Sequence, residues 1–287
     1  MRKVWIEASL NGPWGRNRQP NIPVRVDEIV ADGIAVAKTG CAIVHVHAYD
    51  EQTGRQRDDW ETYARIIEGI RAQADVIVYP TIPLIAASKF GHVEELARRG
   101  LIEWTVLDPG SVNFARYDRI RDADAGFVYE NSLAQIHEAM RVTREHRLHP
   151  GYAIYEPGFT RLGAALAAAY EIPTPIYRFM FSDEFAWGFP PKPEYLNAHR
   201  ALLDEVAPDA PWMIAGLGVD IRPLISHAVS HGGHVRVGLE DAHWGVQRTN
   251  AQLIEEAAAL IRASGGEPAT AADVRATLEE LALAQPR

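Results

Sequence analysis

Two histidines one residue apart, His45 and His47, close the run Cys41-Ala42-Ile43-Val44-His45-Val46-His47. The run follows Gly40, a usual stop for a helix, and its β-branched residues read as a buried strand. Side chains alternate faces along a strand, so both imidazoles point the same way and can reach one divalent metal. Zinc takes nitrogen ligands at about 2.0–2.1 Å and keeps an open position when a protein supplies three ligands. The pair alone is equally compatible with hydrogen-bonded core histidines, so the rest of the chain has to decide.

The elements that must position these residues alternate in type. Strands are expected at 4–9, 41–47, 75–80, 104–107, 152–155, 176–181, 212–215 and 234–237. Helical apolar spacing falls between them, at 29–38, 60–73, 91–99, 133–146, 158–170, 194–206, 222–230 and 249–263. A further helix is expected at 270–283, outside the repeat. The Pro/Gly-rich stretch 10–23 and the residues from Asp108 to Ser111 read as loops. Eight strands with intervening helices imply an α/β fold, a (β/α)8 TIM barrel forming one domain over residues 1–287. No Gly-x-Gly-x-x-Gly follows the first strand, which weakens a dinucleotide-binding sheet.

In such a barrel the chemistry sits at the carboxyl ends of the strands. His47 ends its strand there. Other strand ends offer Glu7, Ser9, Asn11, Thr81, Asp108, Ser111, Glu156 and the run Arg236-Val237-Gly238-Leu239-Glu240-Asp241. Strands eight, one and two become neighbours when a barrel closes, so Glu240 can approach His45 and His47 as a third ligand. Each residue also has a plainer role. Glu240 and Asp241 can be an acidic pair at a helix start, Ser111 a turn cap, Glu156 an acid before Pro157, and Glu7 a structural carboxylate inside the barrel.

Composition narrows the partners. A formal charge of −9 and the lack of a Lys/Arg cluster speak against nucleic acid. No run approaches the roughly 20 apolar residues of a membrane span, and the N-terminus carries no apolar stretch of signal-peptide length. The single cysteine, Cys41, excludes an intramolecular disulfide framework and fits a reducing, cytoplasmic setting.

Five stretches, in order along the chain, carry a resemblance to the β-keto acid cleavage enzymes typified by 3-keto-5-aminohexanoate cleavage enzyme. They are Leu10-Asn11-Gly12, His45-Val46-His47, Pro109-Gly110-Ser111-Val112-Asn113-Phe114, Tyr155-Glu156-Pro157-Gly158, and the run from Gly232-Gly233-His234 through Arg236 to Glu240-Asp241. The resemblance implies a zinc-dependent (β/α)8 enzyme, a homotetramer, that condenses a β-keto acid with acetyl-CoA to give acetoacetate and a new acyl-CoA. It implies His45, His47 and Glu240 as ligands of Zn2+ or another divalent metal. It gives catalytic roles to Asp241, Arg236 and Glu156, and substrate contacts to Thr81, Ser111, Asn11 and Trp14. Two departures stand out. Thr81-Ile82-Pro83-Leu84 replaces a Ser-Thr-Gly-Gly stretch, and Pro83 removes a backbone N–H. Trp14 replaces a glutamate that recognises the substrate's amine. An apolar or uncharged β-keto acid is therefore expected, with a quaternary ammonium as the other option through the Trp14 ring face. Two other classes stay open at this point: a metal-dependent hydrolase or aldolase on the same barrel, and a non-catalytic barrel that binds a metal or small molecule.

Overall fold

The computed structural model describes residues 1–86, 88–122 and 126–284. In chain order the elements are β1 (Arg2–Val4), β2 (Ile6–Ser9), α1 (Val26–Lys38), β3 (Ile43–Val46), α2 (Trp60–Arg71), β4 (Ile77–Pro80), α3 (Gly91–Arg98) and β5 (Trp104–Val106). Then come β6 (Val112–Ala115), β7 (Gly126–Tyr129), α4 (Leu133–His146), β8 (His149–Ile154), α5 (Pro157–Tyr170), β9 (Ile176–Phe181) and α6 (Pro193–Val206). The chain ends with β10 (Trp212–Gly216), α7 (Arg222–Ser230), β11 (His234–Val237), α8 (Asn250–Ala263), β12 (Gly266–Pro268) and α9 (Ala271–Ala284).

Eight parallel strands join in the order β4-β3-β2-β11-β10-β9-β8-β5, a nearly closed TIM barrel in which β4 and β5 border the gap. The expected β/α alternation is therefore present, and β11, β2 and β3 are neighbours as barrel closure requires. Helix starts follow local chemistry. Asp59 accepts the Thr62 N–H at the head of α2, while Ser132 and Thr249 form capping boxes with Gln135 and Gln252. Pro157 and Pro193 open α5 and α6, where a missing N–H costs nothing. Among the described residues no helix is long and apolar enough to cross a membrane.

Two features were not foreseen. The first expected strand, 4–9, is split: β1 leaves the barrel to pair in parallel with β12, and the barrel strand starts at Ile6. Between β5 and α4, β6 and β7 form an antiparallel hairpin. It docks on the loop after β9 through Ala186 N–H to Ala115 O (2.8 Å) and an Arg116–Glu184 ion pair (3.0 Å).

The barrel interior is layered. At one level Trp5, Trp104 and Tyr79 pack ring against ring at 6.0–6.3 Å. Beside them is a buried polar network instead of the usual branched aliphatics. Glu7, wholly buried on β2, accepts from Tyr79 Oη (2.5 Å), Arg236 (2.8 Å) and Arg178 (3.3 Å) through one oxygen. Glu7 thus takes the structural role expected of it, holding two arginines inside the barrel. Arg236 links this network to the mouth, where the histidines stand.

Candidate active site

The mouth is built by close backbone approach. Gly238 crosses the end of β2 so tightly that a Cβ there would lie 2.0 Å from Ser9 O. This crossing lets the next turn fold back, with Glu240 N–H donating to Ser9 O (3.3 Å) and the carboxylate swung over β3. Gly12, at φ +69°, leaves room for the Glu240 side chain, since a Cβ would sit 2.5 Å from its Cγ. Trp14 pins the same turn by donating Nε1–H to Glu240 O (3.0 Å).

One donor atom each from His45, His47 and Glu240 lies within 4.8 Å of the others, and all three residues are buried. His47 Nε2 is 3.2 Å from Glu240 Oε1, and His45 Nε2 is 3.7 Å from Oε2. Burial drives the His45 pKa well below its ordinary value, against the pull of Glu240, so this imidazole is neutral at pH 7. Its Nδ1 is buried without a hydrogen-bond partner. For Glu240, burial raises the carboxyl's pKa, but Arg236, His47 and His45 together outweigh it and hold the group below the usual carboxylate range. Two imidazole nitrogens and an ionised carboxylate thus converge in a largely buried site, an arrangement that a divalent cation relieves. The donor set fits a metal with an open position.

Beside it stands an Arg–Asp pair. Arg236 donates to both oxygens of Asp241 (Nε 2.8 Å, Nη2 3.1 Å) and lies 2.9 Å from Glu240 Oε2. Burial, then the charge of Glu240, push the Asp241 carboxyl up to about 6, although Arg236 pulls it down. That places a buried base with a pKa near neutrality next to the triad.

The triad and Asp241 face a cleft of about 680 Å3, whose walls also include Trp14, Thr81, Asp108, Phe114, Tyr129 and Tyr155. Not every expected contact reaches it. Asn11 is wholly buried behind the triad, donating to Pro23 O and His47 O and accepting from the His47 N–H (2.9 Å). It positions His47 and does not line the cleft, because its whole amide is used by backbone. Ser111 is exposed and exchanges hydrogen bonds with the Asn131 backbone (2.8 and 3.1 Å), closing the base of the hairpin. Glu156 precedes α5 and accepts the Gly188 N–H (3.2 Å). These two residues act as turn and loop fasteners, the plainer role open to each. Thr81 and Trp14 do line the cleft.

Two residues in or near the cleft, Arg178 and Gln56, were not singled out by the sequence, whereas the strand-end Asp108 was. Asp108, buried and held by Tyr129 Oη (2.7 Å) and the Ala153 N–H (2.9 Å), has its pKa raised by burial. Arg178 lines the floor while bound to Glu7 and Gly151 O. Its signal was available: a charged residue at an inward position of the apolar strand Ile176–Phe181. Gln56 hydrogen-bonds His47 from a loop and left no pattern to read.

A parallel barrel with a metal-competent His/His/Glu triad and an Arg-held aspartate at its carboxyl mouth defines a class of TIM-barrel enzyme. The sequence signature of the beta-keto acid cleavage enzyme family matches residues 3–279, and the chain belongs to that family. It is 26% identical to the 3-dehydrocarnitine:acetyl-CoA trimethylamine transferase of Rhizobium meliloti (strain 1021), over 97% of each chain. It is 28% identical to the 3-oxoadipate:acetyl-CoA acetyltransferase of Cupriavidus necator, over 95% of this chain and 93% of the relative. In fold it resembles the ternary complex of ObcA with C4-CoA adduct and oxalate, at TM-score 0.69 and 15% identity, covering 91% of this chain and 68% of that one.

Proposed function

We propose that this protein is a divalent-metal-dependent enzyme, with zinc the expected ion, that converts a β-keto acid and acetyl-CoA into acetoacetate and a new acyl-CoA. The observation that carries the reading is the buried His45/His47/Glu240 cluster beside the Arg236–Asp241 pair in a chain of this family. The names of the two relatives, each an acetyl-CoA-dependent transferase, support the co-substrate. We take residues 1–287 as one domain, working as a homotetramer in the cytoplasm.

His45, His47 and Glu240 would hold a divalent ion, which would supply Lewis-acid chemistry to a keto oxygen in the cleft. Asp241 removes a proton from the carbon between the keto and carboxylate groups, and Arg236 holds the aspartate in line. The resulting carbanion attacks the thioester carbonyl of acetyl-CoA. CoA leaves the acetyl carbonyl as its thiolate and adds to the former keto carbon; C–C cleavage then gives the acyl-CoA and the carbanion of acetoacetate, which takes its proton back from Asp241. Thr81 contributes a hydroxyl at the substrate carboxylate.

The distal group of the keto acid faces Trp14, Phe114, Tyr129 and Tyr155 in this reading, so it is apolar or uncharged. A quaternary ammonium is the second reading, favoured by those ring faces, by the Asp108 carboxyl among them, and by the name of the Rhizobium relative. The test is a coupled acetoacetate assay over β-keto acids with apolar, carboxylate, amine and trimethylammonium ends. Turnover that needs metal and is lost in His45→Ala supports the reading, and the best substrate selects between the two distal groups. Metal binding without turnover across the panel would shift the assignment to a hydrolase, an aldolase or a binding barrel.

A further inference from the structure

Acetyl-CoA brings several negative charges to the mouth of a protein whose own net charge is −9. Most arginines on the surrounding loops are already held by acids: Arg16 by Glu28 (2.5 Å), Arg57 by Asp59 (2.7 Å) and Arg116 by Glu184 (3.0 Å). Arg18 differs. Its side chain is exposed, and among the described residues no carboxylate stands within ion-pair distance of it. Its guanidinium carbon instead lies 5.4 Å from the ring centroids of both Trp14 and Trp244. The two indoles meet edge to face at 4.8 Å.

This stack is anchored at both ends. Trp14 lines the cleft and holds the backbone of Glu240, so its ring runs from the candidate metal triad to Arg18. The Arg18 carbonyl accepts the Gly245 N–H (2.8 Å), which ties its loop to the loop after β11. A guanidinium lying against aromatic faces keeps its N–H edge free and oriented, the geometry that suits a phosphate. We propose that Arg18, on its Trp14–Trp244 platform, is the phosphate-binding subsite for the CoA moiety. The inference rests on acetyl-CoA being the co-substrate.

Kinetics with thioesters of different length test it. Arg18→Ala raises KM for acetyl-CoA about tenfold, the scale of one charge-assisted hydrogen bond, with kcat little changed. KM for S-acetyl-N-acetylcysteamine, which ends before the phosphates, stays at the wild-type value, as does KM for the keto acid. Arg18→Lys, which keeps the charge and loses the guanidinium's fork of N–H donors, recovers part of the loss. With acetyl-dephospho-CoA, a retained effect assigns the pyrophosphate and a lost effect assigns the 3′-phosphate. Arg99→Ala is the control, since Arg99 also stacks on a tryptophan, Trp60 (3.7 Å), but next to the C-terminal end of α3. Equal KM changes for the long and short thioesters, or a change confined to the keto acid, overturn the proposal. Calorimetric titration with adenosine 3′,5′-bisphosphate separates this result from failure of the underlying function. Binding to wild type and Arg99→Ala but not to Arg18→Ala supports the subsite even if no thioester is turned over. Equal binding to all three proteins, or none to wild type, contradicts it.

Discussion

The amide oxygen of Gln56 stands 2.9 Å from Nδ1 of His47, and the amide nitrogen of Gln56 faces both oxygens of Asp58 at 2.9 Å. Asp58 only accepts, so the Gln56 nitrogen must donate to it, which leaves the Gln56 oxygen to accept from His47. His47 therefore carries its proton on Nδ1 and presents the Nε2 lone pair to the triad, the tautomer a metal ligand requires. Gln56→Leu removes this orientation without touching a ligand. It is expected to weaken metal affinity about 10- to 100-fold, measured by competition with a chelator. Wild-type affinity in the variant would remove Gln56 from the account.

Asp241→Asn keeps a side chain of the same shape beside Arg236 but abolishes the base. We expect kcat to fall about 10^2- to 10^4-fold while metal content stays at the wild-type level. In D2O, exchange of the keto acid's α-protons in the absence of acetyl-CoA should be lost with it. Undiminished exchange would move the proton-removing role to another group.

Glu7→Gln tests the interior network. The substitution leaves Arg178 and Arg236 short of one buried negative charge. Breaking a buried pair on one side costs about 3–5 kcal/mol, which urea denaturation would detect as a lower midpoint. A midpoint within error of wild type would mean that water or a neighbour compensates the arginines.

Acid stability should depend on His199 and His234. Burial lowers the His199 pKa to about 4 and, aided by Arg2, the His234 pKa to about 3. His199 packs against Phe179 (4.6 Å) with neither ring nitrogen hydrogen-bonded. Unfolded histidines bind a proton near pH 6.5, while these two remain neutral in the fold until far lower pH. The unfolded state therefore holds more protons below pH 6.5, and stability is lost progressively as pH falls from 6.5 towards 4. For His199 the shift corresponds to about 3 kcal/mol. His199→Leu should match or exceed wild-type stability at pH 7.5 and lose less of it by pH 5, as read from thermal melts. Parallel losses in both proteins would contradict the assignment.

How much of this was legible follows from where each signal sits. The barrel could be read because alternating β-branched runs and helical apolar spacing recur eight times. His45, His47, Arg236, Glu240 and Asp241 could be read because each lies in or just beyond a strand, where register fixes its direction. Asn11, Ser111 and Glu156 lie in loops, whose paths depend on backbone contacts far away in sequence, so only the structure showed where their polar atoms are used. The β6–β7 hairpin was missed because its two strands have only four residues each, and ten residues separate them. The split of the first strand was equally hidden, since β1 depends on pairing with β12 at the other end of the chain.

The central claim is that the acetyl group of acetyl-CoA becomes the methyl-ketone half of acetoacetate, while the CH2–COO− half comes from the β-keto acid. Metal-loaded protein should be incubated with an accepted β-keto acid and acetyl-CoA labelled with 13C at both acetyl carbons, and the products read by 13C NMR. The account predicts coupled label at C3 and C4 of acetoacetate, an unlabelled acyl-CoA, and neither product in His47→Ala. Label appearing as free acetate, or acetoacetate formed without label, would contradict it.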